Sequence, residues 1–109
     1  MGDRANVHVK ESDEDSGVYL YTHWNGYKLP QTLRSALQKK WRWDDCPYLT
    51  RIIFDEMTKG QNGNETGFGI SSFGSEDKTL TVNVKKQTVT NSNGGVFTFN
   101  EFCESGAGW

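Results

Sequence analysis

Apolar and polar positions alternate across residues 17–26, which predicts a strand at the centre of the fold. Successive side chains of a strand point to opposite faces of its sheet. One face of this strand is therefore aliphatic and the other aromatic, with Val18, Leu20 and Thr22 opposed to Tyr19, Tyr21 and His23. The aliphatic face fits a core covered by helices, and the aromatic face is a candidate contact surface.

Apolar residues at helical spacing predict two helices after this strand. The first begins near Pro30, and the second covers residues 47–58 with Asp44 or Asp45 as its cap. The buried stripe of the first is Leu29, Leu33, Leu37 and Trp41. The buried stripe of the second is Leu49, Ile52, Ile53 and Met57. A sharp joint at residues 41–47 connects the two helices.

Shorter alternating segments predict the remaining strands. They lie at residues 5–10, 65–72, 79–84, 87–90 and 96–99. The predicted order is β-β-α-α-β-β-β-β, followed by a short extension or helical turn at residues 100–104. This order is typical of an α+β domain with an antiparallel sheet of about five to six strands and two helices on one face. We expect one compact domain over residues 1–104 and a flexible tail over residues 105–109.

Composition argues against several classes of function. The formal net charge is −2 and the pI is about 5.6, so we do not expect nucleic-acid binding through bulk positive charge. No apolar run approaches the roughly 20 residues of a membrane span, and the N-terminus lacks an apolar signal segment, which indicates a cytoplasmic protein. Cys46 and Cys103 fit reduced thiols better than a disulfide framework. No spacing of His and Cys indicates a metal site, and no cofactor is predicted.

Aromatic, basic and glycine residues combine into a candidate ligand site. Rings of the central strand and of the joint can stack on a planar ligand, and nearby arginines can meet phosphate. Two glycines on one face of the strand at 65–72 would let a ligand approach the backbone. The predicted ligand-binding residues are Tyr21, His23, Trp24, Arg42, Trp43, Arg51, Gly67 and Gly69. No catalytic residue is assigned.

Each of these features also has a purely structural interpretation. The aromatic face can lie under another part of the chain, the joint can be a hydrophobic corner, and the basic run at 28–43 can be a solvated helix face. The glycine strand can simply accommodate a neighbouring ring. Two further functions stay open. One is an inhibitor or adaptor that binds a host protein through the aromatic face, which also admits homo-oligomerisation. The other is a nucleotide hydrolase with His23 as base.

Five segments of the chain together resemble a family of small, largely uncharacterised proteins of phages, prophages and bacteria. They are MGDRANV at 1–7, VYLYTHW at 18–24, RWDD at 42–45, YLTRIIF at 48–54 and ETGFGIS at 65–71. The resemblance covers most of residues 1–90. One departure is Cys46, which stands between the aspartate pair and Pro47, where proline is expected directly.

The resemblance implies a setting rather than an activity: a small soluble protein that acts inside an infected or host bacterial cell. By analogy, small phage proteins of unknown role often prove to be counter-defence factors, and some of these sequester nucleotide signals. Together with the candidate site, the analogy predicts a binding protein that sequesters a small host molecule such as a signalling nucleotide. The predicted partners are a nucleotide-like ligand or a host protein.

Overall fold

The computed structural model describes residues 2–61, 63–74 and 78–109. Within them the chain forms six strands and three helices in the order β-β-α-α-β-β-β-β-α. The strands are β1 (Ala5–Lys10), β2 (Val18–Thr22), β3 (Phe68–Ser71), β4 (Thr79–Asn83), β5 (Thr88–Thr90) and β6 (Val96–Thr98). The helices are α1 (Leu29–Gln38), α2 (Cys46–Met57) and α3 (Phe99–Glu104), and a 3₁₀ turn at Gly26–Lys28 leads into α1.

The strands form one mixed sheet in the order β3-β2-β1-β4-β5-β6. Every neighbouring pair is antiparallel except β1 and β4, which run parallel with Asn6 beside Thr79. The prediction of an antiparallel sheet is therefore wrong at this pair. Alternation along a strand determines which side chains share a face, but it does not determine which strand lies beside which. The pairing of β4 with β1 leaves β3 and β6 at the two edges.

The inner face of the sheet, which carries Val7, Leu20 and Val82, packs against α1 and α2. The predicted helix stripes supply most of that contact, with Leu29, Leu33, Leu37, Leu49, Ile53 and Met57 all buried. Strand β1 lies in the middle of the sheet, and its inward residues Ala5, Val7 and Val9 are small or β-branched apolar residues that are buried. The α+β class and the packing of the helix pair on the sheet are thus confirmed.

The prediction that Trp41 belongs to the stripe of the first helix is wrong, because α1 ends at Gln38 and Trp41 is 59% exposed. Lys40 and Arg42 have φ of 58° and 56°, left-handed values that a continuing helix cannot contain. The chain reverses here and enters α2, where the Asp45 carboxylate accepts a hydrogen bond from the Tyr48 N–H at 3.3 Å.

The predicted two-helix order lacks α3, although residues 100–104 were open to a helical turn. Thr98 starts this helix with a capping box: Thr98 Oγ1 accepts from the Glu101 N–H, and Glu101 accepts from the Thr98 N–H. Residues 105–109 then run back along the domain. Arg34 donates to the Ala107 carbonyl, and the Trp109 indole donates to the Gly26 carbonyl at 3.1 Å. The flexibility of this tail stays a prediction.

The two cysteines lie on different helices and are not bridged. Cys46 is the first residue of α2, and Cys103 lies in α3. Desolvation by partial burial raises the pKa of both thiols. Each is therefore a weaker nucleophile at neutral pH than an exposed cysteine.

Candidate functional site

The outer face of the sheet, away from the helices, carries the aromatic residues of β2, but Tyr19 is not open to a ligand. Its ring stacks on His8 of β1, with centroids 4.0 Å apart and planes 8° from parallel. The His8 ring is held by a hydrogen bond from Nε2 to the Ser16 carbonyl at 2.7 Å. Gly74 lies directly against the Tyr19 ring, at a distance that excludes a β-carbon. Tyr19 therefore has a structural role, as one interpretation of the sequence proposed.

Tyr21 and His23 do meet, although β2 ends between them at Thr22. The Tyr21 hydroxyl and His23 Nδ1 are 2.7 Å apart, within hydrogen-bonding distance. The His23 backbone is fixed on both sides: its N–H donates to the Gly67 carbonyl at 2.9 Å, and its carbonyl accepts from the Asp3 N–H at 2.7 Å. The His23 ring is thus held in place by its own backbone and by Tyr21.

Asp3 supports this corner of the site electrostatically. Its carboxylate accepts a hydrogen bond from Lys78 Nζ at 2.7 Å and another from the Tyr27 N–H at 2.7 Å. The Lys78 hydrogen bond is the main cause that lowers the pKa of the Asp3 carboxyl below its usual value. Because the Asp3 N–H also holds the His23 carbonyl, this ion pair anchors the chain next to the site.

Trp24 forms the wall beside His23 and lies against Gly67. The indole meets the His23 ring edge-on, with centroids 5.1 Å apart and planes at 89°. A β-carbon at Gly67 would lie 2.7 Å from Trp24 Cζ3, and the φ of Gly67 is +107°. Both features require glycine. Gly67, which immediately precedes β3, thus accommodates a neighbouring ring, which was one of the two interpretations that the sequence left open.

These residues enclose a pocket of about 360 Å³, lined by Tyr21, His23, Trp24, Thr66, Gly67 and Phe68. Four of the predicted ligand-binding residues are therefore together. A fifth, Gly69, pairs with Tyr21 across the β2–β3 ladder and leaves the Tyr21 ring 4.0 Å from where its β-carbon would stand. The volume falls within the range of small-molecule sites.

Trp43 is not part of this pocket. Its indole N–H donates to the Leu37 carbonyl at 3.0 Å, and its ring packs edge-on against Phe99 at 5.2 Å. The Trp43 carbonyl also accepts a hydrogen bond from Gln87 at 2.7 Å. Trp43 thus closes a hydrophobic corner between α1 and α3, in agreement with the structural interpretation of the joint.

Arg42 and Arg51 also lie away from the pocket, in the helix layer. The Arg42 guanidinium sits over the Tyr48 ring at 4.6 Å, and Arg51 pairs with Asp55 at 2.5 Å, one turn along α2. Both arginines are largely exposed. The predicted combination of rings and arginines is therefore not assembled, because the joint and α2 belong to the layer on the other face of the sheet.

Two residues that the sequence analysis did not name lie on chain segments next to Tyr21 and His23, although neither of them lines the pocket. Arg4 is exposed, makes no ion pair among the described residues, and follows Asp3, whose N–H binds the His23 carbonyl. Asn6 pairs with Tyr21 across the β1–β2 ladder and is 2% exposed, and its side-chain Nδ2 has no hydrogen-bond partner. Period-two alternation outward from Val7 indicates Asn6, since it places this residue on the aromatic face.

Other kinds of site are not found in the described part of the chain. No three or more His, Cys, Asp and Glu residues there are grouped to hold a metal ion. No helix there is both long and apolar enough to cross a lipid bilayer. Comparison with known proteins gives no matching family model, no similar curated protein and no similar solved structure.

Proposed function

We propose that this protein is a small binding protein that holds a planar ligand in the pocket of Tyr21, His23, Trp24 and Gly67. The observation that carries the proposal is the constrained arrangement of the three rings. The Tyr21–His23 hydrogen bond and the contact of Trp24 with Gly67 leave an open space of about 360 Å³ beside them. A site whose walls are held before the ligand arrives loses less entropy on binding.

The rings of the pocket suit a heteroaromatic ligand such as a nucleobase. Trp24 is 46% exposed, so a ligand ring can stack on its free surface, an interaction worth about 1–3 kcal/mol per base. The Tyr21 hydroxyl and the His23 ring offer a donor and an acceptor to the ligand edge. Stacking thus supplies affinity, and the hydroxyl–imidazole pair supplies orientation.

Arg4 takes the role that the sequence analysis gave to Arg42 and Arg51. It adjoins His23 through Asp3, and among the described residues it has no acidic partner. An exposed guanidinium is suited to a phosphate, which it can bind through two parallel hydrogen bonds. We therefore infer a ligand with one planar ring and one anionic group, the chemistry of a nucleotide.

The setting of this activity is also a proposal. The resemblance of five segments to small phage and prophage proteins supports a role inside an infected bacterial cell. A protein that binds a nucleotide there without consuming it would act as a counter-defence factor by sequestering a signal. This part of the proposal depends on the resemblance alone, and the ligand chemistry does not depend on it.

The test is native mass spectrometry of the purified protein after exposure to a bacterial nucleotide extract. The protein is then denatured and the released small molecules are identified. We expect an unaltered nucleotide at fixed stoichiometry. An altered nucleotide would instead support the hydrolase with His23 as base, and an empty protein in an unchanged extract would contradict the proposal.

Matched variants locate the binding site. We expect Trp24→Ala to weaken binding of the identified nucleotide by about fivefold to 150-fold, since a stacking contact is worth roughly 1–3 kcal/mol. Arg4→Ala should weaken it as well, and Tyr21→Phe should alter selectivity between bases. Arg51→Ala is the control, because Arg51 has the same charge but pairs with Asp55 on α2. Binding that depends on Arg51 rather than Arg4 would contradict the site.

A protein partner on the same surface is the second candidate function. The observation in its favour is exposed aromatic surface: Trp24 at the pocket is 46% exposed, and Phe73, beyond the far end of β3, is 74% exposed. Aromatic side chains of this kind often supply most of the affinity at protein interfaces. A stable complex from host lysate that Trp24→Ala abolishes, with no bound small molecule, would favour this function over the first.

A further inference from the structure

The edge strand β3 presents unpaired backbone groups on its side away from β2. Among the described residues, β3 pairs only with β2. The His23 N–H donates to the Gly67 carbonyl, so position 67 and the alternate positions 69 and 71 direct their N–H and C=O groups toward β2. Phe68 and Ile70 therefore direct theirs to the open edge. A further strand can add here through backbone hydrogen bonds.

This edge lacks the features that commonly block such pairing. Residues 66–74 contain no charged side chain and no proline, whereas exposed edges are often protected by lysine, proline or a bulge. Ile70 is 63% exposed although its cross-strand partner Leu20 is fully buried, because the helix layer does not extend over the edge. The edge thus combines unpaired backbone with an uncovered apolar side chain.

We propose that β3 pairs with β3 of a second copy of this chain, antiparallel, about a two-fold axis at Gly69. In this register Phe68 of each copy stands opposite Ile70 of the other, and each such pair exchanges both of its N–H···O bonds. Pairs of an aromatic and a β-branched residue across strands are favourable. An uncharged edge also meets itself without bringing like charges together.

The length of β3 favours a two-fold axis at Gly69 over one at the next residue, Ile70. A two-fold axis at Ile70 would place Phe68 opposite Ser72, and β3 ends at Ser71. With the axis at Gly69, every paired residue lies within β3. Glycine at the axis also removes side chains from the outer face, where Tyr21 of each copy lies beside its own Gly69. The inference does not depend on the proposed function, although it would bring the two pockets to one continuous sheet.

The test compares lysine substitutions at the two edges of the sheet by sedimentation velocity over a range of concentrations. Ile70 of β3 and Val96 of β6 are 63% and 61% exposed, so Ile70→Lys and Val96→Lys are matched in chemistry and in burial. We expect the wild-type chain and Val96→Lys to form dimers as concentration rises. Ile70→Lys should need at least about tenfold more protein for the same dimer fraction. A monomeric wild type, or equal behaviour of the two variants, would overturn the proposal.

Cysteine crosslinking tests the register. Gly69→Cys should form an intermolecular disulfide under mild oxidation. The two Gly69 residues would form a non-hydrogen-bonded pair, and the Cα atoms of such a pair are about 4.5 Å apart, within bridging range. Ser71→Cys should not, because two such residues would lie four strand positions apart, roughly 13 Å. The wild-type chain controls for bridges through Cys46 and Cys103. Crosslinking of Ser71→Cys without Gly69→Cys would overturn the axis at Gly69.

Discussion

Trp24 and Trp43 both belong to the predicted ligand site, one in the predicted central strand and the other in the joint between the helices, yet they lie in different environments. Trp43 packs edge-on against Phe99 and donates its indole N–H to the Leu37 carbonyl. Trp24 lies against Gly67 and is 46% exposed. The residue that each tryptophan contacts accounts for the difference. The Phe99 ring of α3 packs against Trp43, whereas Gly67 has no side chain to cover Trp24.

The same comparison applies to the arginines of the two regions. Arg51 of the helix layer has Asp55 one turn away on α2, so its charge is already paired. Arg4 follows Asp3, which binds the His23 carbonyl, and Arg4 has no ion-pair partner among the described residues. Residue type therefore did not distinguish the binding region from the structural region. The distinction depends on which residues have partners in the folded chain.

The sharpest test of the comparison is the stability of the two tryptophan variants. We expect Trp43→Ala to lower the free energy of unfolding by about 3 kcal/mol, because it removes a large, partly buried ring packed against the core and an indole hydrogen bond. Trp24→Ala should cost about 1 kcal/mol or less, since half of its surface is in water. Urea unfolding measures both values, and equal losses would contradict the assignment of Trp43 to structure alone.

The two glycines of the predicted site provide a smaller effect with an internal control. Gly67→Ala should lower the free energy of unfolding by about 2 kcal/mol, because φ is +107° and the new methyl would strike Trp24. Gly69→Ala should change it by less than about 0.5 kcal/mol, as the nearest atom of Tyr21 is 4.0 Å away. Thermal unfolding of the pair measures the difference, and a tolerated Gly67→Ala would show that Trp24 moves freely.

The pH dependence of stability tests the ion pair of Asp3 and Lys78, which anchors the chain next to the pocket. The pKa of Asp3 is lowered from about 3.8 by its hydrogen bond with Lys78, so the folded chain binds this proton less readily than the unfolded chain does. The stabilisation is present above pH 3.8 and is lost as the pH falls through the lower folded pKa. The Asp3→Asn variant should therefore lose less free energy of unfolding than the wild-type chain when the pH falls below about 4. Unfolding curves between pH 2 and 7 that are parallel for the two chains would contradict this role.

The smallest effect is expected for the arginines of the helix layer. Arg51→Ala should change the free energy of unfolding by less than about 0.5 kcal/mol, because an exposed pair one helical turn apart contributes little. High salt should remove even that difference. A loss above about 1 kcal/mol, or a loss that persists in high salt, would mean that Arg51 has a partner beyond Asp55.

Much of the fold was predictable from local pattern. The two helices, their buried stripes up to Leu37 and Met57, and the inward residues of the strands follow from periods of 3.6 and 2. The end of α1 was not predictable in this way, because Trp41 continues the spacing while Lys40 and Arg42 adopt left-handed backbone. The spacing of apolar residues predicts which face of a helix is buried, but it does not predict where tertiary contacts make the chain turn.

The residues of the candidate site that lie in or next to β2 were predictable from the sequence, and those from distant parts of the chain were not. Tyr21, His23 and Trp24 are adjacent in sequence, so local alternation was sufficient to group them. Gly67 joined them because β3 pairs with β2, whereas Trp43 and Arg51 went to the other layer. Asn6 was not grouped with them because its position beside Tyr21 results from pairing across the β1–β2 ladder.

The sequence by itself determined the elements of this protein, the faces they bury and the aromatic character of β2. These properties follow from spacing along one chain, which is a local quantity. Only the tertiary structure decided that β4 pairs in parallel with β1, that β3 becomes an edge, and that Trp24 rather than Trp43 borders a pocket. Those outcomes depend on contacts between residues distant in sequence, where several pairings satisfy the same pattern and the packing of the whole chain selects one.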